Sequence, residues 1–210
     1  MVGWSGDACL AQTARSAATA AVIADPQGLT VRFEDVTEEM GLTPYLRNWQ
    51  LGHGGGWGDV NGDGKPDLYI GAFAETPRWK DGPMPNMLFL SGANGFTLSP
   101  QKELQLDLKH ARTSNVIFAD MDNDGDLDIF SASHGSSSMK FQSVIWENRG
   151  GGQFKDSTPT SGYWPNPMGL RNTAAYDING DGLLDIIGCD GNYSNWKDGQ
   201  GKLLVLINKG

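Results

Sequence analysis

The sequence predicts an all-β protein built from repeated four-stranded antiparallel sheets, and three features lead to that prediction. The 210 residues include 29 glycines and 10 prolines, a content typical of chains with many tight turns between short strands. One aspartate-rich segment occurs three times, at intervals of about 60 residues. Short apolar runs of the β type, rather than a helical pattern, follow each copy. Each repeat is therefore expected to form one small sheet.

The repeated segment reads D-x-[DN]-x-D-G-x-x-D, and its copies lie at 59–67, 120–128 and 177–185. The copies contain eleven of the 25 acidic residues, and the rest of the chain is nearly neutral although the formal net charge is -9. The acidity is therefore concentrated where a cation would bind. A nucleic-acid partner would need a clustered basic surface, so none is expected.

The spacing within the segment suits a hard cation. Oxygen ligands at positions 1, 3 and 5 of a tight loop point inward together, position 7 adds a backbone carbonyl, and glycine at position 6 permits a sharp turn. Position 9 is a further aspartate in every copy. Without a cation these groups would repel one another. The alternative is that the segments are plain Asn-Gly and Asp-Gly hairpin turns, but three copies with identical ligand positions favour calcium.

The segments differ from EF-hand loops. An EF-hand needs a glutamate at position 12, whereas this position is Ile70, Ser131 and Gly188 in the three copies. The β-type runs that follow predict that each loop joins two strands.

Each repeat divides into four predicted strands. A small apolar inner strand precedes each loop, at 54–58, 115–119 and 173–176, and a second strand follows the loop. A third strand is predicted at 87–90, 143–146 and 203–207, and a fourth at 95–98 and 153–155. The third repeat lacks a fourth strand, and residues 29–33 read as an outer strand with no inner partners before it. Four-stranded sheets repeated radially make a β-propeller.

With these loops the chain resembles the FG-GAP or VCBS repeat family, calcium-loop propellers that include the heads of integrin α-subunits. Flanking segments at 33–37, 86–90 and 146–154 add to the resemblance, which covers residues 29–210. It implies a propeller of four-stranded antiparallel blades. Complete propellers have about 4 to 8 blades, and about three are present here, so a partial propeller or open arc is expected. Residues 1–28 are expected to be a leader or a disordered segment.

The resemblance also implies about three bound calcium ions. The implied ligands, with backbone carbonyls at position 7, are Asp59, Asn61, Asp63, Lys65 and Asp67; Asp120, Asp122, Asp124, Asp126 and Asp128; and Asp177, Asn179, Asp181, Leu183 and Asp185.

Candidate ligand-binding residues lie at the opposite end of the inner strands. His53, Ser114 and Arg171 stand six residues before the first aspartates, and Arg112 lies just upstream of the second. The basic side chains are candidates for binding an acidic sugar or for acid-base chemistry. The alternative is that they hydrogen-bond loops between neighbouring sheets.

Two tryptophans are further candidates for ligand contact. Trp79 and Trp196 both lie in Trp-Lys-Asp-Gly segments between the second and third strands. An exposed tryptophan stacks on sugars or anchors a protein partner, and the alternative is that these rings only cover the ends of the sheets.

The leading hypothesis is a calcium-binding extracytoplasmic module for adhesion or for recognition of a protein or carbohydrate ligand. A secreted, periplasmic or cell-surface location suits such loops, because weaker extracellular sites work at about 0.1 to 1 mM calcium. The alternatives are a fragment of a carbohydrate-active enzyme, of the polysaccharide lyase or sugar dehydratase type, and a structural subunit of a larger assembly. No transmembrane segment is expected, and Cys9 and Cys189 are too few for a disulfide framework. Whether the two cysteines pair stays open.

Overall fold

The structure is a computed structural model that describes residues 23–24, 30–47, 54–72, 85–101, 113–133, 143–162, 170–190 and 203–210. Within these residues the secondary structure is β, apart from the one-turn helix α1 (Thr43–Leu46). The chain divides into two units, Met1–Glu38 and Glu39–Gly210.

The first unit contains a short antiparallel strand pair. Strand β1 (Ile23–Ala24) pairs with β2 (Thr30–Val31), so β2 lies in the predicted outer strand and has a partner within its own unit. Beyond β2, the Phe33 side chain is 83% exposed. The Thr37 N–H donates to Asp35 Oδ1 at 3.0 Å.

The second unit contains three antiparallel sheets, one for each repeat. Sheet 1 consists of β3 (Gly54–Gly58), β4 (Asp67–Gly71), β5 (Met87–Gly92) and β6 (Gly95–Leu98). Sheet 2 consists of β7 (Thr113–Ala119), β8 (Asp128–Ser133), β9 (Val144–Asn148) and β10 (Phe154–Asp156). Sheet 3 has three strands in the described part of the chain, β11 (Leu170–Tyr176), β12 (Asp185–Asp190) and β13 (Leu203–Leu206). The predicted all-β class and the order of the strands within each repeat are confirmed.

The sheets pack against one another through their first strands. Strand β3 contacts β7, and β7 contacts β11. The glycines of β3 make the first contact possible, because a Cβ at Gly58 would lie 2.6 Å from the Phe118 side chain. Apolar cores fill both interfaces. The core between sheets 1 and 2 includes Tyr69, Leu88, Ile129 and Trp146, and that between sheets 2 and 3 includes Phe130, Ala132, Leu170 and Ile186.

The far face of sheet 1, which points away from sheet 2, is covered by residues 40–46. Leu42 is buried in a cluster with Leu68 and Phe89, and the Tyr45 ring meets the Phe89 ring edge-on at 5.2 Å between centroids. The Phe96 N–H donates to the Met40 carbonyl at 2.9 Å. These residues are therefore fixed to sheet 1.

Candidate metal centre

The three repeated segments form loops that follow the C-terminal ends of the three inner strands. Loop 1 (residues 59–67) joins β3 to β4, loop 2 (120–128) joins β7 to β8, and loop 3 (177–185) joins β11 to β12. The prediction that each loop joins two strands is confirmed. Loops 2 and 3 touch, because Asn123 Nδ2 donates to the Gly182 carbonyl at 3.1 Å.

The loops share a backbone conformation with two left-handed residues. Position 6 is glycine in each loop, with φ of 83°, 96° and 86° at Gly64, Gly125 and Gly182. Position 4 is also left-handed, and there loop 2 has Asn123 (φ 60°) in place of glycine. Asparagine tolerates this conformation better than other residues with a Cβ. The predicted sharp turn at position 6 is therefore present in all three loops.

The aspartate at position 1 organises each loop. In loop 1, Asp59 Oδ1 accepts N–H groups from Gly62 and Asp63 at 2.8 and 3.1 Å, and Oδ2 accepts that of Gly64 at 2.7 Å. Asp177 makes the same three bonds in loop 3. These bonds wrap the backbone around the carboxylate at position 1.

The side chains at positions 3 and 5 turn into the same loop. In loop 2, Asp122 Oδ1 accepts the Asp124 N–H at 3.2 Å, and Asp124 Oδ1 accepts the Asp126 N–H at 2.9 Å. One carboxylate oxygen from each of Asp120, Asp122 and Asp124 lies within 4.8 Å of the others. Two ligands of one calcium ion lie at most about 5 Å apart, given calcium–oxygen distances of about 2.3 to 2.6 Å. The donor set of loop 2 therefore fits a calcium ion.

The charges of loop 2 are unfavourable in the absence of a cation. Partial desolvation raises the pKa of Asp122 although its side chain is exposed, and the carboxylates of Asp124, Glu147 and Asp120 raise it further. A cation held by the loop would oppose this repulsion.

The aspartate at position 9 is buried in every loop and holds the loop to its sheet. Asp128 is 2% exposed, and its two oxygens accept N–H groups from Met121 in the loop and Asn148 at the end of β9, both at 2.8 Å. Burial raises the pKa of Asp128 to about 6. Asp67 and Asp185 accept the equivalent pairs of N–H groups. Each oxygen keeps a second acceptor site, so position 9 as a calcium ligand stays a prediction.

Two asparagines that were not assigned a role from the sequence connect the loops. Asn148 Nδ2 donates to the carbonyl of Val60 in loop 1 at 2.8 Å and to that of Leu127 in loop 2 at 3.1 Å. Asn208 Nδ2 connects loops 2 and 3 in the same way, through Met121 at 2.7 Å and Leu184 at 3.3 Å. The available signal was the recurrence of Asn-[RK]-Gly after the third strand of two repeats.

At the opposite end of the inner strands, the structure describes two of the residues singled out from the sequence, Ser114 and Arg171. Ser114 Oγ donates to the Leu170 carbonyl of the neighbouring sheet at 2.7 Å, so at this end a serine makes a contact between sheets of the kind considered for the basic side chains. Arg171 is half-buried on β11 beside a β-bulge. The other predicted ligand contacts, His53, Arg112, Trp79 and Trp196, lie outside the described residues, as does Cys9. Cys189 is exposed.

Comparison with family models gives two matches to the FG-GAP-like repeat, at residues 59–131 and 120–188. Each match begins at the first aspartate of one loop and ends just beyond the next loop, and together they span more than half of the chain. The chain therefore belongs to the FG-GAP-like repeat family, and the resemblance seen in its sequence is confirmed. No curated protein matches the chain. Within the described ranges, no helix has both the length and the apolar character needed to span a membrane.

Proposed function

We propose that the chain is a calcium-binding repeat module for recognition, in which calcium has a structural role and the three sheets are successive blades of a partial β-propeller. The observation that carries this proposal is the close approach of the Asp120, Asp122 and Asp124 carboxylates in loop 2. The contacts of β3 with β7 and of β7 with β11 support the radial arrangement of the blades.

In this proposal each loop holds one ion through positions 1, 3, 5 and 9 and the carbonyl at position 7. The ion neutralises the loop, whereas the backbone N–H groups already fix where the carboxylates lie. Loops 1 and 3 follow the pattern of loop 2, because Asn61 and Asn179 accept the N–H groups of Asp63 and Asp181 at 3.0 and 2.9 Å.

We assign the module to an extracytoplasmic setting, either secreted, periplasmic or on the cell surface. The acidic side chains of loop 2 at positions 3 and 5, Asp122 and Asp124, are exposed to solvent. Such open sites suit the millimolar calcium found outside cells. The repeat region is assigned to residues 29–210.

The ligand-binding surface is assigned to the end of the inner strands opposite the loops. Arg171 lies at that end, at the start of β11, and the proposal adds His53, Arg112, Trp79 and Trp196. A basic and aromatic surface of this kind suits an acidic carbohydrate or a protein partner.

The test of the calcium assignment is thermal unfolding of Asp124→Asn beside Asp126→Asn. Both variants remove one charge from loop 2, but position 7 contributes only its backbone carbonyl, so Asp126→Asn is the matched control. Calcium binding to the native state raises the melting temperature, by about 5 to 10 °C for one site near saturation. We expect Asp124→Asn to lose this increase at loop 2 and Asp126→Asn to keep most of it. Equal melting temperatures of the wild-type protein in calcium and in chelator would contradict the assignment.

A further inference from the structure

In the described part of the chain, side-chain hydrogen bonds join loops 2 and 3 at two points and loops 1 and 2 at one. Asn208 connects loops 2 and 3 as Asn148 connects loops 1 and 2, so the two pairs of loops are placed alike. The additional connection is made by Asn123 of loop 2, whose Nδ2 donates to the Gly182 carbonyl of loop 3 at 3.1 Å. Loop 1 has Gly62 at the position of Asn123, and glycine has no side chain to donate. The difference between the two pairs therefore depends on one residue.

The Asn123 hydrogen bond joins the ligand-bearing segments of the two loops directly. Asn123 is at position 4 of loop 2, between Asp122 and Asp124 at positions 3 and 5. Gly182 is at position 6 of loop 3, and its N–H donates to Asp177 Oδ2 at 2.9 Å. A change in the backbone of either loop when it binds an ion therefore reaches the other loop through a single hydrogen bond.

The peptide that accepts this bond connects two of the predicted calcium ligands of loop 3. Its carbonyl, that of Gly182, is held by Asn123. Its N–H, that of Leu183, donates to Asp181 Oδ1 at 2.9 Å. Asp181 and the Leu183 carbonyl are the ligands predicted at positions 5 and 7. Asn123 therefore fixes, from the neighbouring loop, the orientation of the peptide between these two ligands.

Solvent exposure makes this bond sensitive to the order of both loops. Asn123 and Gly182 are both exposed, so water competes for the donor and the acceptor when either loop moves. Such a bond adds little net stability unless both partners are already held in place. The left-handed backbone of Asn123, with φ of 60°, belongs to the turn that brings Asp122 and Asp124 together. An ion bound to these carboxylates would therefore also hold the donor in position.

We propose that Asn123 couples calcium binding at loops 2 and 3, so that an ion in either loop raises the calcium affinity of the other. The coupling rests on the proposed calcium function. Coupling between two sites is reciprocal, and one exposed hydrogen bond limits it to about two- to tenfold in affinity. Repulsion between the two ions has the opposite sign, and salt at about 0.15 M weakens it. Loops 1 and 2 lack this bond, so their coupling should be smaller.

Calcium titration followed by NMR tests the coupling, because one amide signal reports on each loop. The glycine N–H at position 6 donates to the aspartate at position 1 in every loop, at Gly64, Gly125 and Gly182. Each signal should therefore shift when its own loop binds an ion. We expect the double variant Asp122→Asn with Asp124→Asn to empty loop 2 at calcium concentrations that fill loop 3. The affinity reported by Gly182 should then also fall, and that reported by Gly64 should fall less.

Asn123→Gly separates the hydrogen bond from the long-range effect of charge. Glycine is the natural residue at this position in loops 1 and 3, where Gly62 and Gly180 have the same left-handed backbone, so the variant should fold. In the Asn123→Gly background, the double variant of loop 2 should lower the affinity of loop 3 by a factor about two to ten times smaller than in the wild-type background. Equal factors in the two backgrounds would overturn the proposal.

Gly62→Asn should create the corresponding bond between loops 1 and 2. A Cβ at Gly62 would have no atom within 4 Å, and its φ of 73° is one that asparagine tolerates. The new side chain should donate to the Gly125 carbonyl as Asn123 donates to Gly182. We expect loops 1 and 2 to become coupled about two- to tenfold. Gly180→Asn, with equally open surroundings, is the control and should leave the coupling of loops 1 and 2 as in the wild-type protein. Unchanged coupling in Gly62→Asn would contradict the role of asparagine at position 4.

The same titration distinguishes failure of the coupling from failure of the calcium assignment. Absence of calcium-dependent shifts at Gly64, Gly125 and Gly182 would overturn both. Calcium-dependent shifts at all three glycines, with affinities of loops 2 and 3 that do not depend on each other, would overturn the coupling alone.

Discussion

Loops 2 and 3 have the same backbone conformation, but they differ in how the negative charge of their carboxylates is offset. In loop 3, Asn179 Nδ2 donates to Asp181 Oδ2 at 2.9 Å, so one carboxylate is satisfied within the loop. Loop 2 has Asp122 at the equivalent position, which adds a second carboxylate in place of a donor. The pKa of Asp181 is lowered, first by the Leu183 N–H and then by Asn179, whereas partial desolvation and the neighbouring carboxylates raise the pKa of Asp122.

This difference indicates that two loops with the same sequence pattern can depend on a bound cation to different degrees. Loop 3 can keep its shape largely through its own donors, whereas loop 2 concentrates negative charge that only an external cation offsets. Calcium should therefore stabilise loop 2 more than loop 3.

The largest expected effect is common to both loops. Asp128→Ala and Asp185→Ala each remove a buried carboxylate that accepts two backbone N–H groups. Leaving these donors unpaired should lower the free energy of unfolding by about 2 to 5 kcal/mol. Urea unfolding in chelator measures the loss, with exposed Asp156→Ala as the control. A loss in only one loop would contradict the shared anchoring role.

The second-largest expected effect concerns the two asparagines that connect neighbouring loops, Asn148 and Asn208. Asn148 is buried and Asn208 is half-buried, although both side chains donate to two carbonyls. Asn148→Ala should therefore cost about 1 to 3 kcal/mol of unfolding free energy, and Asn208→Ala less, because water can reach the carbonyls left by Asn208. Urea unfolding of both variants in chelator tests this order. A larger loss of unfolding free energy in Asn208→Ala than in Asn148→Ala would show that solvent exposure of the asparagine does not determine the loss.

The smallest expected effect is a pH dependence of the calcium-free protein. The pKa of Asp128 is about 6 in the native state and should return to about 4 on unfolding. The native state therefore binds the proton more tightly, so this group's contribution to stability is present below pH 4 and is lost as pH rises through 6. Protein stripped of divalent ions should be about 1 to 2 kcal/mol more stable at pH 5 than at pH 7.5.

Urea unfolding across this pH range measures the trend, and Asp128→Ala should flatten it. A stripped protein whose stability increased with pH between 5 and 7.5 would contradict the raised pKa of Asp128.

The strands and loops were predictable because their signals are local. The inner strand at 54–58 has the predicted bounds, since a run of small residues before an aspartate turn marks it directly. Strand β7 instead begins at Thr113, because Thr113 pairs with Ser133 across a bulge at Ser114. Sequence periodicity does not show such a bulge.

The roles of Asp128 and Asn148 in anchoring the loops were not predictable, because their contacts are not local in the sequence. Asp128 accepts from Asn148, 20 residues further along the chain, and Asn148 reaches Val60 in the previous sheet, 88 residues away. Only the packing of separate strands and sheets brings these groups together. The sequence therefore identified position 9 as acidic and repeated, but its attachment to the third strand required the structure.

Calcium titration by calorimetry tests the central claim most directly, using the wild-type protein beside Asp122→Asn and Asn179→Asp. We expect about three ions to bind the wild-type protein, with loop 2 giving the strongest site. Asp122→Asn removes one carboxylate from loop 2 and should weaken calcium binding there about tenfold. Asn179→Asp adds one carboxylate to loop 3 and should strengthen calcium binding there. Absence of binding at millimolar calcium, or equal binding by all three proteins, would contradict the account.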